Sequence, residues 1–591
     1  MSDAPRESGE HGGARKRTHR GGAHRGGTHA RRGAAPGGGS GRAGRTPGAE
    51  IAARRSDPKS ERARAMALLL DVERGAFASE LLGPHDGRFV RELVLGVQRR
   101  RLTLDSVSDA FGSRRTAELD DDVRAALRIG LYQWLFMDGV PPHAVVGETV
   151  GALRAAAGAG GSGARSYVNA LLRTVQRESH KVPEGEDRGG ASPRKRLHRP
   201  GRCVIFFSRA VFPDPAADRA AWLAALHSHP VLLVERWLAQ AGEEAAVARM
   251  EAGNAPAPLV LRPRLPRTDA RALAFTLAQQ GVATELLVRP GAVTDALAVK
   301  PGAERALASR AFRDGLCTVQ DPEQMDAAEL LAPRAGEVIW DACAAPGGKT
   351  AQLAELLEIA EARAAAAAAQ RAEPGAPEAE KKADELKEPG EQGLPGRIVA
   401  TDAREDRLQR IHENVARLAL TGVEVGVHEL LSGAAPPGRP ARGFDAVLLD
   451  APCSNTAVLA RRPEARWRLR ADSFATLAAL QRRLLTAAHA QLAPGGRLVY
   501  SVCTHEPEEG VAHGLRATRS PFVWTATHAE LGALVAAWER DGLLADAAGS
   551  AVAAADSAAG ATEASPRGHS RKASPPRTDH TDRTGRTDLE P

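Results

Sequence analysis

The chain has 591 residues, of which 43% are hydrophobic and only 4% aromatic, a composition that predicts two or three folded units with Ala- and Leu-rich helices. No run of about 18 apolar residues is present, which excludes a membrane-spanning helix, and the N-terminus lacks the apolar segment of a secretory signal. The five cysteines include no Cys-x-x-Cys pair, which argues against a disulfide framework and a zinc site. We therefore expect a cytoplasmic protein that binds no metal.

The formal net charge of +7 favours an anionic partner such as nucleic acid. Much of the excess lies in the first 50 residues, which hold ten Arg and Lys residues against four Asp and Glu residues. Residues 1–58 are rich in Gly, Arg, His and Ala and show no periodicity, so we expect a disordered basic tail. A solvated tail explains this charge as well as RNA binding does, so charge alone does not identify the partner.

Residues 59–180 are predicted to form an all-helical domain, because apolar residues recur there at helical spacing. The three apolar stripes are Met66, Leu69, Leu70 and Val72; Val90, Leu93, Val94 and Val97; and Val123, Leu127, Leu131 and Leu135. Pro141 and Pro142 separate the third of these helices from the next. Residues 181–220 contain a basic patch without periodicity and are predicted to be a linker.

Residues 221–335 are predicted to form a small α/β subdomain, with strands over 258–264 and near Leu286 on either side of a helix over 269–280. Apolar strands then alternate with helices across residues 336–540. The four strand segments read EVIWDA, GRIVATDA, FDAVLLDAP and GGRLVYSVC. This alternation predicts an α/β fold whose mostly parallel, Rossmann-like sheet has ligand sites at the carboxyl ends of its strands.

Two segments do not fit this alternation. Residues 361–395 are rich in Ala, Glu, Lys and Pro and have no apolar face, so they are predicted to be a low-complexity surface insertion. Residues 541–591 are polar and are predicted to be a second disordered tail.

A loop of small residues, Asp341-Ala-Cys-Ala-Ala-Pro-Gly-Gly-Lys-Thr350, follows the first strand of this sheet. Small residues let the backbone pass close to a ligand, and the helix that follows presents free N–H groups. Asp402 ends the next strand, where a carboxylate can accept hydrogen bonds from a ribose diol. Together these features predict a site for a cofactor that contains a nucleoside.

The same loop must be compared with a nucleoside-triphosphate-binding P-loop, because it ends in Gly348-Lys349-Thr350. A P-loop requires glycine five positions before its final glycine. That position is Cys343, and Pro346 interrupts the run of amides. A nucleoside triphosphatase is therefore disfavoured, and so is a structural glycine turn without a ligand.

Two cysteines lie at predicted strand ends on the same edge of the sheet: Cys453, in Asp450-Ala-Pro-Cys, and Cys503, in Tyr-Ser-Val-Cys. A lone cysteine is usually a small buried hydrophobic residue, but two at this edge indicate chemistry. Carbon 5 of cytosine is a poor nucleophile, and a thiolate that adds to carbon 6 makes an enamine whose carbon 5 can attack a methyl sulfonium. Methyl transfer to an exocyclic amine needs no thiol.

Three segments, DACAAPGGKT, LLDAPCSNTAVLARRPEARWR and VYSVCTHEPEEG, together resemble the RNA cytosine-C5 methyltransferases of the Nol/Nop/Sun family. The similarity extends from about Trp222 to Gly510 and includes DGLCTVQDPEQM. The resemblance implies that Cys503 attacks carbon 6 of the cytosine and that Cys453 aids elimination. It also implies that Asp450 contacts the cytosine edge and that Lys349 helps to position the base.

The resemblance further implies that the cofactor is S-adenosyl-L-methionine. The residues implied to bind it are Cys343, Ala344, Ala345, Pro346, Gly347, Gly348, Lys349, Asp402 and Asp450. Cys343 is interpreted as a structural member of the loop.

The helical region has a resemblance of its own: DGRFVRELVLGVQRR, LRIGLYQWLFMDGVPPHAVVGETV and SYVNALLRTVQR are similar to the NusB-type RNA-binding domain. Its fusion ahead of the catalytic core resembles bacterial enzymes that modify small-subunit ribosomal RNA. This implies 16S ribosomal RNA as the partner of a monomeric enzyme. Two alternatives stay open: a non-catalytic RNA-binding ribosome-assembly factor, and a cytosine methyltransferase that acts on transfer RNA or DNA.

The sequence departs from the family pattern in three places. At the end of the third strand the candidates for the family's acidic residue are His428 and Glu429. Glu508-Glu509-Gly510 replaces the usual Glu-Asn-Glu. Residues 540–550 match the closing strand of the family poorly, so the sheet is expected to lack an identifiable edge strand.

Overall fold

The computed structural model describes residues 60–83, 85–156, 162–186, 190, 192–300, 303–371 and 395–544. The predicted tail over residues 1–58 lies outside this part of the chain, as does the predicted tail from residue 545 onwards. Among the residues described, no helix combines the length and the apolar character needed to cross a membrane.

The N-terminal part of the described chain is a helical domain, as the periodicity predicts. Its helices are α1 (Glu61–Glu73), α2 (Ala78–Leu81), α3 (Arg88–Phe111), α4 (Asp121–Phe136), α5 (Pro142–Ala156) and α6 (Ser162–Arg177). The predicted stripes face its core, where Met66, Leu93 and Leu127 are fully buried. A Cβ atom at Gly96 would lie 2.0 Å from the ring of Tyr132, so glycine is required for α3 and α4 to pack this closely.

The predicted linker over residues 181–220 is wrong up to residue 207, because three strands form there. Strands β1 (Ser179–Pro183), β2 (Arg196–Arg199) and β3 (Cys203–Phe207) form an antiparallel sheet in the order β1-β3-β2. Leu197, Ile205 and Phe207 belong to the hydrophobic core of the helical domain. The strands are stable because this core buries their apolar face, a long-range contact that the basic local composition does not reveal.

A small α/β subdomain follows, as predicted. Its elements are α7 (Arg219–His227), α8 (Val231–Asn254), β4 (Val260–Pro263), α9 (Ala270–Gln279), β5 (Thr284–Leu287), β6 (Ala296–Val299), α10 (Ala303–Ala308), α11 (Arg310–Arg313), β7 (Cys317–Val319) and α12 (Pro322–Leu331). The four strands form an antiparallel sheet in the order β5-β6-β4-β7.

The remaining elements form a Rossmann-like domain, which confirms the predicted α/β fold. They are β8 (Val338–Asp341), α13 (Gly348–Arg371), β9 (Arg397–Asp402), α14 (Glu405–Leu418), β10 (Val423–Val427), β11 (Phe444–Asp450), α15 (Ser473–His489), β12 (Leu492–Ser501), β13 (Arg516–Ala517), β14 (Val523–Thr527) and α16 (His528–Arg540). The seven strands have the order β10-β9-β8-β11-β12-β14-β13. Strands β8 to β12 pair in parallel, which brings the carboxyl ends of β8, β9, β11 and β12 to one edge.

The closing strand that the sequence analysis does not identify is present as β14. It pairs antiparallel with β12, and the short β13 pairs with its other side. Val523, Trp524 and Ala526 are buried, so β14 completes the packing of this end of the sheet. The expectation that this strand is not identifiable concerned residues 540–550, whereas the strand lies earlier in the chain, at Val523–Thr527.

The predicted insertion over residues 361–395 begins too early. Helix α13 continues to Arg371, and residues 372–394 lie outside the described chain. The Glu361 carboxylate accepts hydrogen bonds from the backbone N–H groups of Gly336 and Gly396, each at 2.8 Å. Glu361 thus ties α13 to the segments that lead into β8 and β9.

Replacing residues 372–394 with a short Gly/Ser linker is expected to leave any activity of the chain within about threefold of wild type, because this sequence is rich in Ala, Glu, Lys and Pro and has no apolar face. Replacing residues 361–395 is expected to lower the free energy of unfolding by roughly 1–3 kcal/mol, since two backbone donors lose their carboxylate acceptor. Urea denaturation of both variants measures the difference. Equal stability of the two would contradict the structural role of Glu361.

The segment after Cys453 also joins the Rossmann-like domain to the helical domain and to the end of α7. The Glu464 carboxylate accepts a hydrogen bond from the backbone N–H of Ala78 at 3.0 Å, and the indole N–H of Trp467 donates to the carbonyl of Gln98 at 2.9 Å. The fully buried guanidinium of Arg466 donates to the carbonyl of Ser228 at 3.0 Å. The position of the Cys453 loop therefore depends on the N-terminal half of the chain.

Candidate active site

The glycine-containing loop after β8 is fixed at both ends by one hydrogen bond. Asp341, the last residue of β8, is fully buried, and its Oδ2 atom accepts a 2.6 Å hydrogen bond from the Thr350 hydroxyl in the first turn of α13. Burial raises the pKa of Asp341 to about 7. Its Oδ1 atom is buried and has no hydrogen-bond partner in the described chain.

The loop backbone passes close to neighbouring elements, as its small residues predict. The N–H of Ala344 donates to the carbonyl of Thr401 at 2.8 Å, and the N–H of Ala345 donates to Oδ2 of Asp402 at 3.3 Å. Gly347 has a φ of 96°, and a Cβ atom there would lie 3.2 Å from Ile411 on α14. Glycine is required at this position for both reasons.

Lys349 and Asp450 form the charged centre of the site. The buried Lys349 ammonium donates to Oδ2 of Asp450 at 2.6 Å, and the Ser501 hydroxyl donates to Oδ1 of the same carboxylate at 2.6 Å. Burial lowers the pKa of Lys349, but the charge of Asp450 and the hydrogen bond to it outweigh burial and raise that pKa. Lys349 is therefore a cation that fixes one edge of Asp450.

The two predicted thiols are in contact. The Sγ atoms of Cys453 and Cys503 are 3.2 Å apart, and the backbone N–H of Cys503 points to the Cys453 sulfur at 3.3 Å. The Cys503 thiol also lies 3.3 Å from Oδ1 of Asn455. Asn455 adopts a left-handed conformation, with a φ of 61°, and this turn returns the chain toward Cys503.

The environment of the pair makes Cys503 the more acidic thiol. A hydrogen bond from Cys453 lowers the pKa of Cys503, and the positive charges of Arg462 and Lys349 lower it further, against the effects of burial and Asp450. The hydrogen bond to Cys503 and burial raise the pKa of Cys453. The 3.2 Å contact itself allows either thiol to be the donor; the directions of the two pKa shifts favour Cys503 as the thiolate and Cys453 as the hydrogen-bond donor.

Cys343 differs from this pair. Burial is the main cause that raises the pKa of its thiol, and the carboxylates of Asp402 and Asp450 raise it further. The thiol is half-buried and packs against the core of the catalytic domain. Its surroundings agree with the predicted structural role in the loop.

Three residues that shape the site are not among those that the sequence predicts. Ser501 donates a hydrogen bond to Asp450, Asn455 contacts Cys503, and Glu509 is fully buried. Ser501 and Asn455 each lie two residues from a predicted thiol in the sequence, and this proximity is the feature that could have indicated them. In the sequence, Glu509 stands out only as part of a departure from the family pattern.

Comparison with known proteins identifies the family to which the chain belongs. The family model described as "16S rRNA methyltransferase RsmB/F" matches residues 328–375 and 392–520, and the model of the NusB family matches residues 51–177. The ribosomal RNA small subunit methyltransferase B of Vibrio cholerae is 32% identical over 436 residues, which cover 73% of this chain and 81% of that protein. The chain belongs to this methyltransferase B family. The probable member from Synechocystis is 30% identical over 75% of this chain and 85% of its own length.

The fold of the methyltransferase is also found among solved structures. The crystal structure of PH0851 superposes with a TM-score of 0.54 at 21% identity, covering 76% of this chain and 87% of that one. As a member of its family, the protein is an S-adenosyl-L-methionine-dependent RNA methyltransferase.

The residues of the methyltransferase fit this cofactor. Asp341, at the start of the loop, provides a buried oxygen without a hydrogen-bond partner in the described chain. The carboxylates of Asp402 and Asp450 both raise the pKa of the Cys343 thiol. They therefore lie close enough to the loop to attract a sulfonium cation bound there. Asp402, at the end of β9, adds a carboxylate at the same edge of the sheet; its role toward a ribose stays a prediction.

Proposed function

We propose that the methyltransferase modifies carbon 5 of a cytosine in 16S ribosomal RNA through a covalent bond between Cys503 and carbon 6. The observation that carries this proposal is the 3.2 Å contact between the Cys453 and Cys503 sulfur atoms, with the pKa of Cys503 lowered and that of Cys453 raised. Methylation of an amine or a ribose hydroxyl needs no such pair. The names of the Vibrio cholerae and Synechocystis relatives support the choice of small-subunit ribosomal RNA.

Each residue has a definite part in this reaction. The Cys503 thiolate adds to carbon 6. The π electron pair of the C5–C6 double bond shifts onto carbon 5 and the ring atoms conjugated with it, which makes carbon 5 nucleophilic, while Asp450 contacts the cytosine edge. S-adenosyl-L-methionine, which the loop after β8 and Asp402 would hold, would supply an electrophilic methyl group to carbon 5, the methyl–sulfur bond breaking as the new C5–methyl bond forms. Loss of the carbon 5 proton to a base then restores the double bond, and the C6–S bond breaks to release the Cys503 thiolate.

Lys349 and Cys453 support this sequence of steps. The Lys349 ammonium holds Asp450 at 2.6 Å, so the carboxylate is oriented before the base arrives. The Cys453 thiol lies beside the sulfur that must leave carbon 6. Its hydrogen bond to that sulfur stabilises the departing thiolate and so promotes elimination.

Bisulfite sequencing of ribosomal and transfer RNA, from cells with and without the protein, tests this function. The expected result is one 5-methylcytosine in 16S ribosomal RNA that disappears with the protein and returns when the purified enzyme is added to unmodified RNA. Loss of a 5-methylcytosine from transfer RNA alone would identify a transfer-RNA enzyme. No lost site in any RNA, with ribosome assembly impaired, would identify a non-catalytic assembly factor.

Asp450→Asn is expected to slow methyl transfer by about 100-fold or more. The neutral amide orients the cytosine poorly, and it leaves the buried Lys349 ammonium without an anionic partner. Single-turnover kinetics with labelled S-adenosyl-L-methionine measure the effect. Ser501→Ala is the matched control: it removes only the hydrogen bond to Oδ1 of Asp450, and a loss below about tenfold is expected. Unchanged turnover in Asp450→Asn would exclude a role for this carboxylate.

A further inference from the structure

The fully buried Glu509 carboxylate lies between the two loops that carry the thiols. Its Oε2 atom accepts hydrogen bonds from the backbone N–H of Ser454 at 2.9 Å and from the side-chain amide of Gln481 at 3.1 Å. Its Oε1 atom accepts from the Thr504 hydroxyl at 3.3 Å. In the described chain Glu509 has no ion pair, so these neutral donors are its partners.

Two of the donors to Glu509 are next to the two cysteines in the sequence. Ser454 directly follows Cys453, and Thr504 directly follows Cys503. The hydroxyls of Ser454 and Thr504 are themselves 2.7 Å apart. The Gln481 amide also donates to the carbonyl of Pro452 at 2.8 Å, the residue before Cys453. Through these bonds one carboxylate is connected to the chain on both sides of Cys453 and to the residue next to Cys503.

Fold stability alone does not explain a carboxylate in this place. Burying a carboxylate without a cation costs free energy that an apolar residue of similar size would not. The neighbouring Glu506 is different, because its buried side chain pairs with Arg236 on α8 and with the indole N–H of Trp237. Glu506 fastens the loop to the scaffold, whereas the bonds of Glu509 join one thiol-bearing loop to the other.

We propose that Glu509 is a positioning residue that holds the Cys453 and Cys503 loops in register and so keeps the two sulfur atoms in hydrogen-bond contact. The expected effect of Glu509 on turnover rests on the proposed function. Its effect on the thiols themselves depends on neither RNA nor cofactor.

The experiment measures the rate at which iodoacetamide alkylates Cys503 as a function of pH, in the full-length enzyme without ligands, with the site identified by mass spectrometry. Only thiolates react, so the midpoint of the profile reports the pKa of Cys503. In Glu509→Ala the midpoint is expected to rise by about 1 pH unit, because Cys453 no longer lies where it can donate to the thiolate. A companion measurement gives kcat and KM for methyl transfer, with kcat expected to fall about 100-fold and KM to change less than about threefold.

Glu509→Gln is the conservative rescue. The amide oxygen can accept from Ser454 and Gln481, and its NH₂ group can donate to the Thr504 hydroxyl, which accepts as well as it donates. Both the alkylation midpoint and kcat are expected near wild-type values. Glu355→Gln is the matched control, because Glu355 is also a fully buried carboxylate but pairs with Arg262, far from the cysteines in the sequence.

The proposal would be overturned if folded Glu509→Ala has the same alkylation midpoint as wild type. It would also be overturned if Glu355→Gln shifts the midpoint as much as Glu509→Ala does. If Glu509→Ala does not fold, Thr504→Val replaces it. This variant removes the hydroxyl contacts with Glu509, Ser454 and Thr456 and the acceptor of the Glu506 N–H, and the same upward shift is expected. If bisulfite sequencing finds no 5-methylcytosine but the alkylation midpoint shifts as expected, the proposed function fails and the positioning role of Glu509 stands.

Discussion

Cys503→Ala is expected to abolish methyl transfer and to form no covalent complex with RNA. Carbon 5 of cytosine becomes nucleophilic only after a thiolate has added to carbon 6, so loss of this sulfur removes the first step, not merely an accelerating contact. The rate should fall by a factor on the order of 10⁴ or more. Binding of S-adenosyl-L-methionine should persist, because its proposed contacts lie on the loop after β8 and on Asp402.

Two further variants make this result specific. Cys503→Ser is expected to be equally inactive, because a serine hydroxyl is almost entirely un-ionised at neutral pH, whereas a thiol with a pKa of about 8.5 or lower is partly thiolate. Cys317→Ala is the matched control: Cys317 is fully buried in the small subdomain, where burial raises its pKa to about 11. Turnover close to wild type is expected there. Retained methyl transfer in Cys503→Ala would refute the covalent mechanism.

The pH dependence of the reaction follows from the same thiol. Because the hydrogen bond from Cys453 lowers the pKa of Cys503, the reactive thiolate increases as pH rises through that pKa. Single-turnover rates should therefore rise with pH and level off below the range in which an ordinary cysteine ionises. In Cys453→Ala the plateau should move to higher pH, because the main cause of the shift has been removed.

Much of the fold follows from local pattern, because its elements have apolar faces of regular period. The helical stripes of α1, α3 and α4 and the apolar strands β8, β9, β11 and β12 all lie where the sequence predicts. The three-stranded sheet over Ser179–Phe207 could not be predicted in this way. Its strands have four or five residues, and their burial depends on helices far away in the sequence. Local composition does not contain that information.

The candidate site shows the same division between local and long-range information. Parallel strands bring their carboxyl ends to one edge, so the proximity of Cys453 and Cys503 follows from the order of β11 and β12. Which thiol keeps its proton does not follow from that order. It depends on a 3.2 Å contact and on Arg462 and Lys349, whose positions are fixed by loops and by packing between domains. The buried Glu509 is hidden for the same reason, since its donors come from three separate segments.

Cys453→Ala is expected to give the opposite outcome to Cys503→Ala: a protein–RNA complex that resists denaturation and accumulates when S-adenosyl-L-methionine is supplied. Cys503 can still add to carbon 6, although more slowly, because its thiolate loses the hydrogen bond that stabilises it. Release is impaired more, since the sulfur that must leave carbon 6 has lost its neighbouring donor. The methylated adduct should therefore outlive each turnover.

A denaturing gel with labelled RNA detects this complex as a band of reduced mobility. Protease treatment should remove the band, and an RNA in which uracil replaces the target cytosine should not form it. The double variant Cys453→Ala/Cys503→Ala should show no band, because the sulfur that forms the bond is then absent. If instead the band appears in Cys503→Ala and is missing in Cys453→Ala, the roles of the thiols are reversed. The thiol after Asp450-Ala-Pro would then be the nucleophile, as in DNA cytosine methyltransferases, and the lowered pKa of Cys503 would serve the release of the product.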